Sequence, residues 1–162
     1  MTGPAFLIRP VSAGDLDDAR TLFRAYAASL PIDLGYQDFA TELATLPGKY
    51  RPPAGALLVA RDRQGAPLGC VGLRPLADGS SEMKRLYVAP AARGLGLGRA
   101  LMEAVIAEAA RLGYREIRLD TLPTMTAAIA MYRASGFEPI APYYDTAPSG
   151  TIFLARRLDD QS

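Results

Sequence analysis

Apolar positions repeat with two periods along this chain, and the switches between them outline a fold. "AFLIRP" reads as a short first strand. Behind it, Leu16, Ala19, Leu22, Phe23 and Tyr26 fall on one helical face, with Ser12 and Asp15 placed as caps. "GYQDFATELATLPG" predicts a shorter helix stopped at Pro47-Gly48. "GALLVARD", "PLGCVGLRPL" and "SEMKRLYV" read as three strands joined by the turns "RQG" and "ADGS". The clearest helix is "GRALMEAVIAEAARLG", with Leu101, Val105, Ala109 and Leu112 along one face and Gly113 as its stop. "REIRLDT" predicts a strand, and "TMTAAIAMYRASG" a helix closed by Gly136. "GFEPIAPYY" and "GTIFLARRL" read as two final strands.

That order predicts an α/β fold with a mixed, mostly antiparallel central sheet flanked by helices on both faces. Short turns make the three middle strands antiparallel. The strand–helix–strand unit after them predicts a parallel crossover. No repeat, low-complexity tract or linker interrupts the pattern, so residues 1–162 are expected to form a single domain.

Composition narrows the function more by exclusion than by suggestion. Apolar residues make up 49% and charged residues 22%, as in ordinary globular proteins. A formal net charge of +1 lacks the strongly basic footprint of a nucleic-acid binder. No apolar run approaches the ~20 residues of a membrane helix, and the start carries no secretory pattern. Cys70 is the single cysteine, which excludes a disulfide within the chain and favours a cytoplasmic setting. Histidine is absent, which removes Ser-His-Asp and Cys-His machinery and leaves no expectation of a catalytic metal. Of the 18 basic residues only Lys49 and Lys84 are lysines, a bias read as coding background.

"RGLGLG", Arg93 to Gly98, is the candidate for chemistry. It joins a strand to the long helix. Glycines there let the backbone approach a ligand, and the unpaired amides of the helix start carry the positive end of its dipole; together they form an anion cradle. A Walker loop would continue with Lys-Ser/Thr, and Arg99-Ala100 stand there instead. A dinucleotide fingerprint counted from Gly94 meets Arg99 where its third glycine belongs, and the strands leading in are antiparallel. A tight turn without a ligand is the plain alternative.

The stretch also resembles the Arg/Gln-x-x-Gly-x-Gly signature of the GNAT superfamily of acetyl-CoA-dependent N-acetyltransferases. "LYVAP" before it and "RALM" after it are similar to that family, and so is "AAIAMYRASGF", with Ala128, Tyr132, Gly136 and Phe137 at the family's late pattern. The resemblance covers residues 5–157 in element order and is most specific between about 82 and 137.

It implies that acetyl-CoA is the co-substrate, with its pyrophosphate on the amides of Gly94, Leu95, Gly96, Leu97, Gly98 and Arg99. Arg93 and Arg99 are placed to add charge there, or are solvated helix-end arginines. The pantetheine arm would pair with the backbone of Leu86, Tyr87 and Val88, exposed by a splayed, bulged strand. Tyr132 would stand near the coenzyme sulfur, as a hydrogen-bond donor to the developing thiolate or as a plain core tyrosine. An asparagine common seven residues before that tyrosine is Met125 here. Two positions match bases used in different branches of the family, Glu82 and Asp120. Glu82 has a rival explanation as the ion-pair partner of Lys84 on the same strand face, and Asp120 as a brace for the following turn. Glu82 is preferred, because its strand leads directly to the backbone that should hold the thioester.

Alternation puts Lys84 and Arg85 on opposite strand faces, so one of them should meet the acceptor, with a preference for a carboxylate. Cys70 reads as core filler, and "PYYDTAPSG" as a loop that either shapes the acceptor site or lies on the surface. The resemblance implies transfer of acetyl to a primary amine of a small molecule by direct attack in a ternary complex. A protein N-terminus or lysine as acceptor, and a non-catalytic acyl-CoA-binding regulator, are the alternatives. Homodimers are common among similar proteins.

Overall fold

A computed structural model describes residues 5–158. Its main elements are β1 (Leu7–Pro10), α1 (Leu16–Ser29), α2 (Phe39–Thr45), β2 (Ala56–Arg61), β3 (Pro67–Pro75), β4 (Ser80–Val88), α3 (Leu97–Arg111), β5 (Glu116–Thr121), α4 (Thr126–Ala134), β6 (Glu138–Pro139) and β7 (Ile152–Arg157). They build one sheet in the order β1-β2-β3-β4-β5-β7-β6. Only β4 and β5 run parallel; the other neighbours are antiparallel.

Helices cover both faces, which explains why β2 is a continuous apolar run rather than an alternating one. Ala56, Leu58 and Ala60 join the core under α3, with Leu101, Val105, Ala109 and Phe137. Leu57 and Val59 join the core under α1, with Ala19, Leu22, Phe23 and Tyr50. Gly72 lies between the layers because the Tyr50 ring occupies the space of a side chain; a Cβ there would sit 2.7 Å from Tyr50 Cε1.

Two departures from regular pairing shape the middle of the sheet. The register of β3 and β4 shifts between Cys70 and Gly72, opposite Arg85, whose φ is +62°. On its other edge β4 pairs with β5 only from Ser80↔Glu116 to Glu82↔Arg118, whereas β5 pairs with β7 as far as Thr121. Beyond Glu82 the parallel strands therefore part, leaving one edge of β4 from Met83 to Val88 without a strand neighbour.

"GFEPIAPYY" departs from its sequence reading. Only Glu138–Pro139 is strand; Ile140 N–H still donates to Phe153 O at 3.0 Å, and the chain then leaves the sheet until Ile152. Pro139 and Pro142 have no N–H to give a ladder, and Tyr143 and Tyr144 pack edge-on against Phe153 at centroid distances of 5.2 and 5.3 Å.

Candidate active site

The wedge between β4 and β5 is the centre of the site. At its wide end lies the glycine turn. Gly94 and Gly96 have φ of +84° and +75°, values that glycine adopts without steric cost, and nothing stands within 4 Å of a Cβ built on either. The first amide to pair within α3 is that of Ala100, with Gly96 O at 3.1 Å. Among the described residues the amides of 94–99 have no backbone acceptor, and the positive end of the α3 dipole lies at this turn. A groove of about 470 Å³ runs from Gly98 and Arg93 past Val88, Tyr87 and Leu86 to Met125 and Tyr132. Arg93 lines it. Arg99 turns outward into an i,i+4 pair with Glu103 at 3.0 Å.

The groove narrows into a neck of about 40 Å³ bounded by Tyr26, Lys84, Leu86, Asp120, Met125 and Tyr132. Tyr132 is buried, tilted against Phe137 at 5.8 Å, and lines both groove and neck. No hydrogen bond of its hydroxyl occurs among the described residues, and no fully buried side-chain oxygen or nitrogen lacks a partner; the hydroxyl therefore faces the open cleft. Burial raises its pKa, and Tyr26 and Asp120 add to the shift, so the phenol stays protonated at neutral pH.

The two carboxylates have different surroundings. Glu82 is fully buried. Its Oε1 accepts from Arg74 Nε at 2.7 Å and its Oε2 from the Tyr143 hydroxyl at 2.5 Å. The cross-strand register Arg74↔Glu82 makes Arg74, rather than Lys84, its ion-pair partner. Glu82 is not among the residues bounding the neck. Asp120 is: it accepts a hydrogen bond from the Tyr144 hydroxyl, and its Oδ1 lies 4.0 Å from Lys84 Nζ.

Lys84 and Arg85 do not diverge as alternation requires. The positive φ of Arg85 turns the strand at the bulge, and both side chains reach the segment that includes α2. Arg85 grips Glu42 through Nε and Nη2 at 2.9 and 2.8 Å and lies over the rings of Phe39 and Tyr26. Lys84 Nζ donates to Gln37 Oε1 at 3.0 Å. Burial lowers the pKa of Lys84, against the attraction of Glu82 and Asp120. Beyond the neck a wider cavity of about 380 Å³ opens between Lys49, Arg74, Lys84, Arg85, Tyr143 and Tyr144.

Arg74 and Gln37 escaped the sequence reading, and Tyr26 was read only as part of a helix face, because their places at the site depend on register and on long-range packing. The doublet Tyr143-Tyr144 after a proline was the visible signal for the loop, which here covers both carboxylates. Cys70 is fully buried and its thiol donates to Arg85 O at 3.3 Å; burial holds its pKa well above the ordinary thiol range.

Comparison with known proteins agrees with this arrangement. The model of the acetyltransferase (GNAT) family matches residues 19–137. An uncharacterized N-acetyltransferase of Schizosaccharomyces pombe is 42% identical over 141 residues, which are 86% of each chain. Among solved structures, a GNAT-family acetyltransferase from Staphylococcus aureus superposes with a TM-score of 0.80 at 21% identity, covering 95% of this chain and 99% of that one. A phosphinothricin acetyltransferase from Sinorhizobium meliloti in complex with acetyl-CoA gives 0.71 at 23% identity, covering 95% and 89%. With a family match over most of its length and a close relative along nearly all of it, the chain belongs to the acetyltransferase (GNAT) family.

Proposed function

We propose that the protein moves acetyl from acetyl-CoA to the primary amine of a small molecule by direct attack in a ternary complex. The observation that carries this reading is the wedge between β4 and β5, continuous from the open amides of the glycine turn to Tyr132 and Asp120. The amides of 94–99 and Arg93 meet the pyrophosphate, and the free edge of β4 at Leu86–Val88 meets the pantetheine amides.

Asp120 is the base in this reading. An amine near pKa 10 is neutral in only about one molecule per thousand at pH 7, so the acceptor arrives as an ammonium. Asp120 takes one proton to solvent through the neck. The nitrogen lone pair then attacks the thioester carbonyl carbon, the carbon–sulfur bond breaks, and the second proton leaves nitrogen for the departing sulfur. Tyr132 hydrogen-bonds that sulfur as its charge develops. A phenol with a raised pKa gives up its proton even less readily than the ordinary phenol near 10, so the role is donation of a hydrogen bond rather than transfer. Glu82 holds Arg74 and Tyr143 in place behind the cavity. No histidine activates a hydroxyl here, Cys70 is enclosed, and an acyl group on Lys84 would be a stable amide rather than an intermediate, so direct attack is preferred to an acyl-enzyme.

The test is turnover itself: coenzyme A release from acetyl-CoA against a mixed amine panel. Binding without release for any amine would leave an acyl-CoA-binding regulator instead. At a hundredfold excess over its dissociation constant, acetyl-CoA is expected to stabilise the fold by ~2.7 kcal/mol, or about 5–10 °C of melting temperature for a chain of this size. Gly98→Val should remove most of that shift without lowering the melting temperature of the free protein. A Cβ on Gly98 meets only Val88 Cγ2 at 3.7 Å, and the substitution points its branch into the groove. Gly96 is a poorer probe, because its positive φ would strain any side chain.

Tyr132→Phe should lower kcat about tenfold with the acetyl-CoA dissociation constant unchanged within about twofold, since the hydroxyl acts mainly on the developing thiolate. Equal losses in affinity and turnover would make Tyr132 a packing residue.

A further inference from the structure

We infer that the acceptor is an α- or β-amino acid, bound with its ammonium against Asp120 and its carboxylate against Lys84. The inference rests on the acetyltransferase reading of the same site and narrows its substrate class.

The argument starts from how the charges around the acceptor cavity are already matched. Arg85 is held by both oxygens of Glu42. Arg74 is held by Glu82. What remains facing the neck is Lys84 and Asp120, whose side chains are 4% and 13% exposed and stand 4.0 Å apart. That separation exceeds the 2.7–2.9 Å of a charge-assisted hydrogen bond, so the pair is loose. Lys84 also bonds Gln37, a neutral amide that cannot balance its charge.

A simple alkylammonium entering this neck would improve matters for Asp120 and worsen them for Lys84. It would place a second cation beside a buried one and draw away Asp120, leaving Lys84 only the attraction of Glu82, which is already bonded to Arg74. A buried charge left without compensation is costly. A guest that brings its own carboxylate removes the conflict, because two opposed dipoles replace one loose pair. The 4.0 Å between Nζ and Oδ1 also sets the guest's spacing: its charged ends must be as close as one or two intervening carbons allow. The side chain of such a guest would extend into the wider cavity between Lys49, Tyr143 and Tyr144. Lys49 and Lys84, the chain's two lysines, line that one cavity. Lys49 has no ion pair among the described residues and extends the positive side toward the mouth.

The experiment compares wild-type protein on the common α-amino acids and β-alanine with the matching carboxamides and alkylamines, by coenzyme A release. At least one acid should exceed its carboxamide by about tenfold or more in kcat/KM, the size expected when a hydrogen bond to a charged group is lost. The comparison is stringent, because the α-amine of a carboxamide is less basic and more of it is already neutral at pH 7. Lys84→Met should bring the ratio near unity by raising KM for the acid, with the acetyl-CoA melting shift retained. Should that variant fail to fold, wild-type competition gives the same answer: a short carboxylic acid without an amine should inhibit competitively against the acceptor. Carboxamides or alkylamines used as well as acids would overturn the inference and leave the acetyltransferase reading standing. Acetyl-CoA stabilisation with no amine turned over would overturn both the inference and the small-molecule reading. Loss of even that stabilisation would remove the coenzyme site as well.

Discussion

Asp120→Asn is expected to lower kcat about a hundredfold at pH 7, equivalent to ~2.7 kcal/mol of barrier, within the range for loss of a positioned general base. The fold should be little affected. An asparagine oxygen still accepts from the Tyr144 hydroxyl, and the pair lost with Lys84 was a loose one at 4.0 Å. Because the variant depends on amine already neutral in solution, its rate should climb as pH approaches the pKa of the acceptor, while wild type levels off earlier. Glu82→Gln is the comparison that gives this meaning. Glu82 is fully buried between Arg74 and Tyr143. Its substitution should appear mainly in the melting temperature, by about 1–3 kcal/mol for disturbed buried polar groups. A wild-type melting temperature with a lost rate in Glu82→Gln, and a normal rate in Asp120→Asn, would pass the role to Glu82.

Arg85→Met should cost about 3–5 kcal/mol of stability, the usual penalty for breaking a buried ion pair by removing one partner. Arg85 ties α2 to the centre of the sheet through two hydrogen bonds to Glu42 and stacks over Phe39 and Tyr26. Its loss leaves the Glu42 carboxylate with Tyr50 as its remaining close donor. The pH dependence identifies the cause. Burial raises the Glu42 pKa, but hydrogen bonds and charge from Arg85 outweigh it, and the net shift is below the ordinary 4.5. A depressed carboxylate contributes stability that is present above about 4.5 and lost as pH falls through the lower folded value. Without Arg85 the two largest lowering causes are gone and the depression is relieved. The deficit of the variant relative to wild type is then largest at neutral pH and shrinks in acid. A deficit independent of pH between 3 and 7, measured in urea melts, would assign the loss to packing instead.

The element order was legible because each element carries a local signal. α3 shows its buried face in the spacing of Leu101, Val105 and Ala109, and the glycine turn shows its need for positive φ in Gly94 and Gly96. The mixed sheet with helices on both faces followed from strand spacing. The site was less legible where side-chain direction depends on a bulge. Alternation separated Lys84 from Arg85, and the left-handed turn at Arg85 brought both toward α2. Partners distant in sequence were equally hidden. Arg74 reaches Glu82 through the β3–β4 register, and Tyr143 and Tyr144 reach the carboxylates only because the chain leaves the sheet after Pro139. These contacts move the proposed base from Glu82 to Asp120: one carboxylate is saturated, and the other opens on the neck.

The burial of Cys70 has a redox consequence. Its sulfur lies behind β4, fully enclosed and with its thiol pKa held high by burial. The thiolate, which is the attacking species in disulfide exchange, is therefore scarce and shielded. Exchange of Cys70 with an external disulfide is expected to be slow while the protein is folded. An oxidising shift in the surroundings should therefore leave Cys70 reduced until the protein opens.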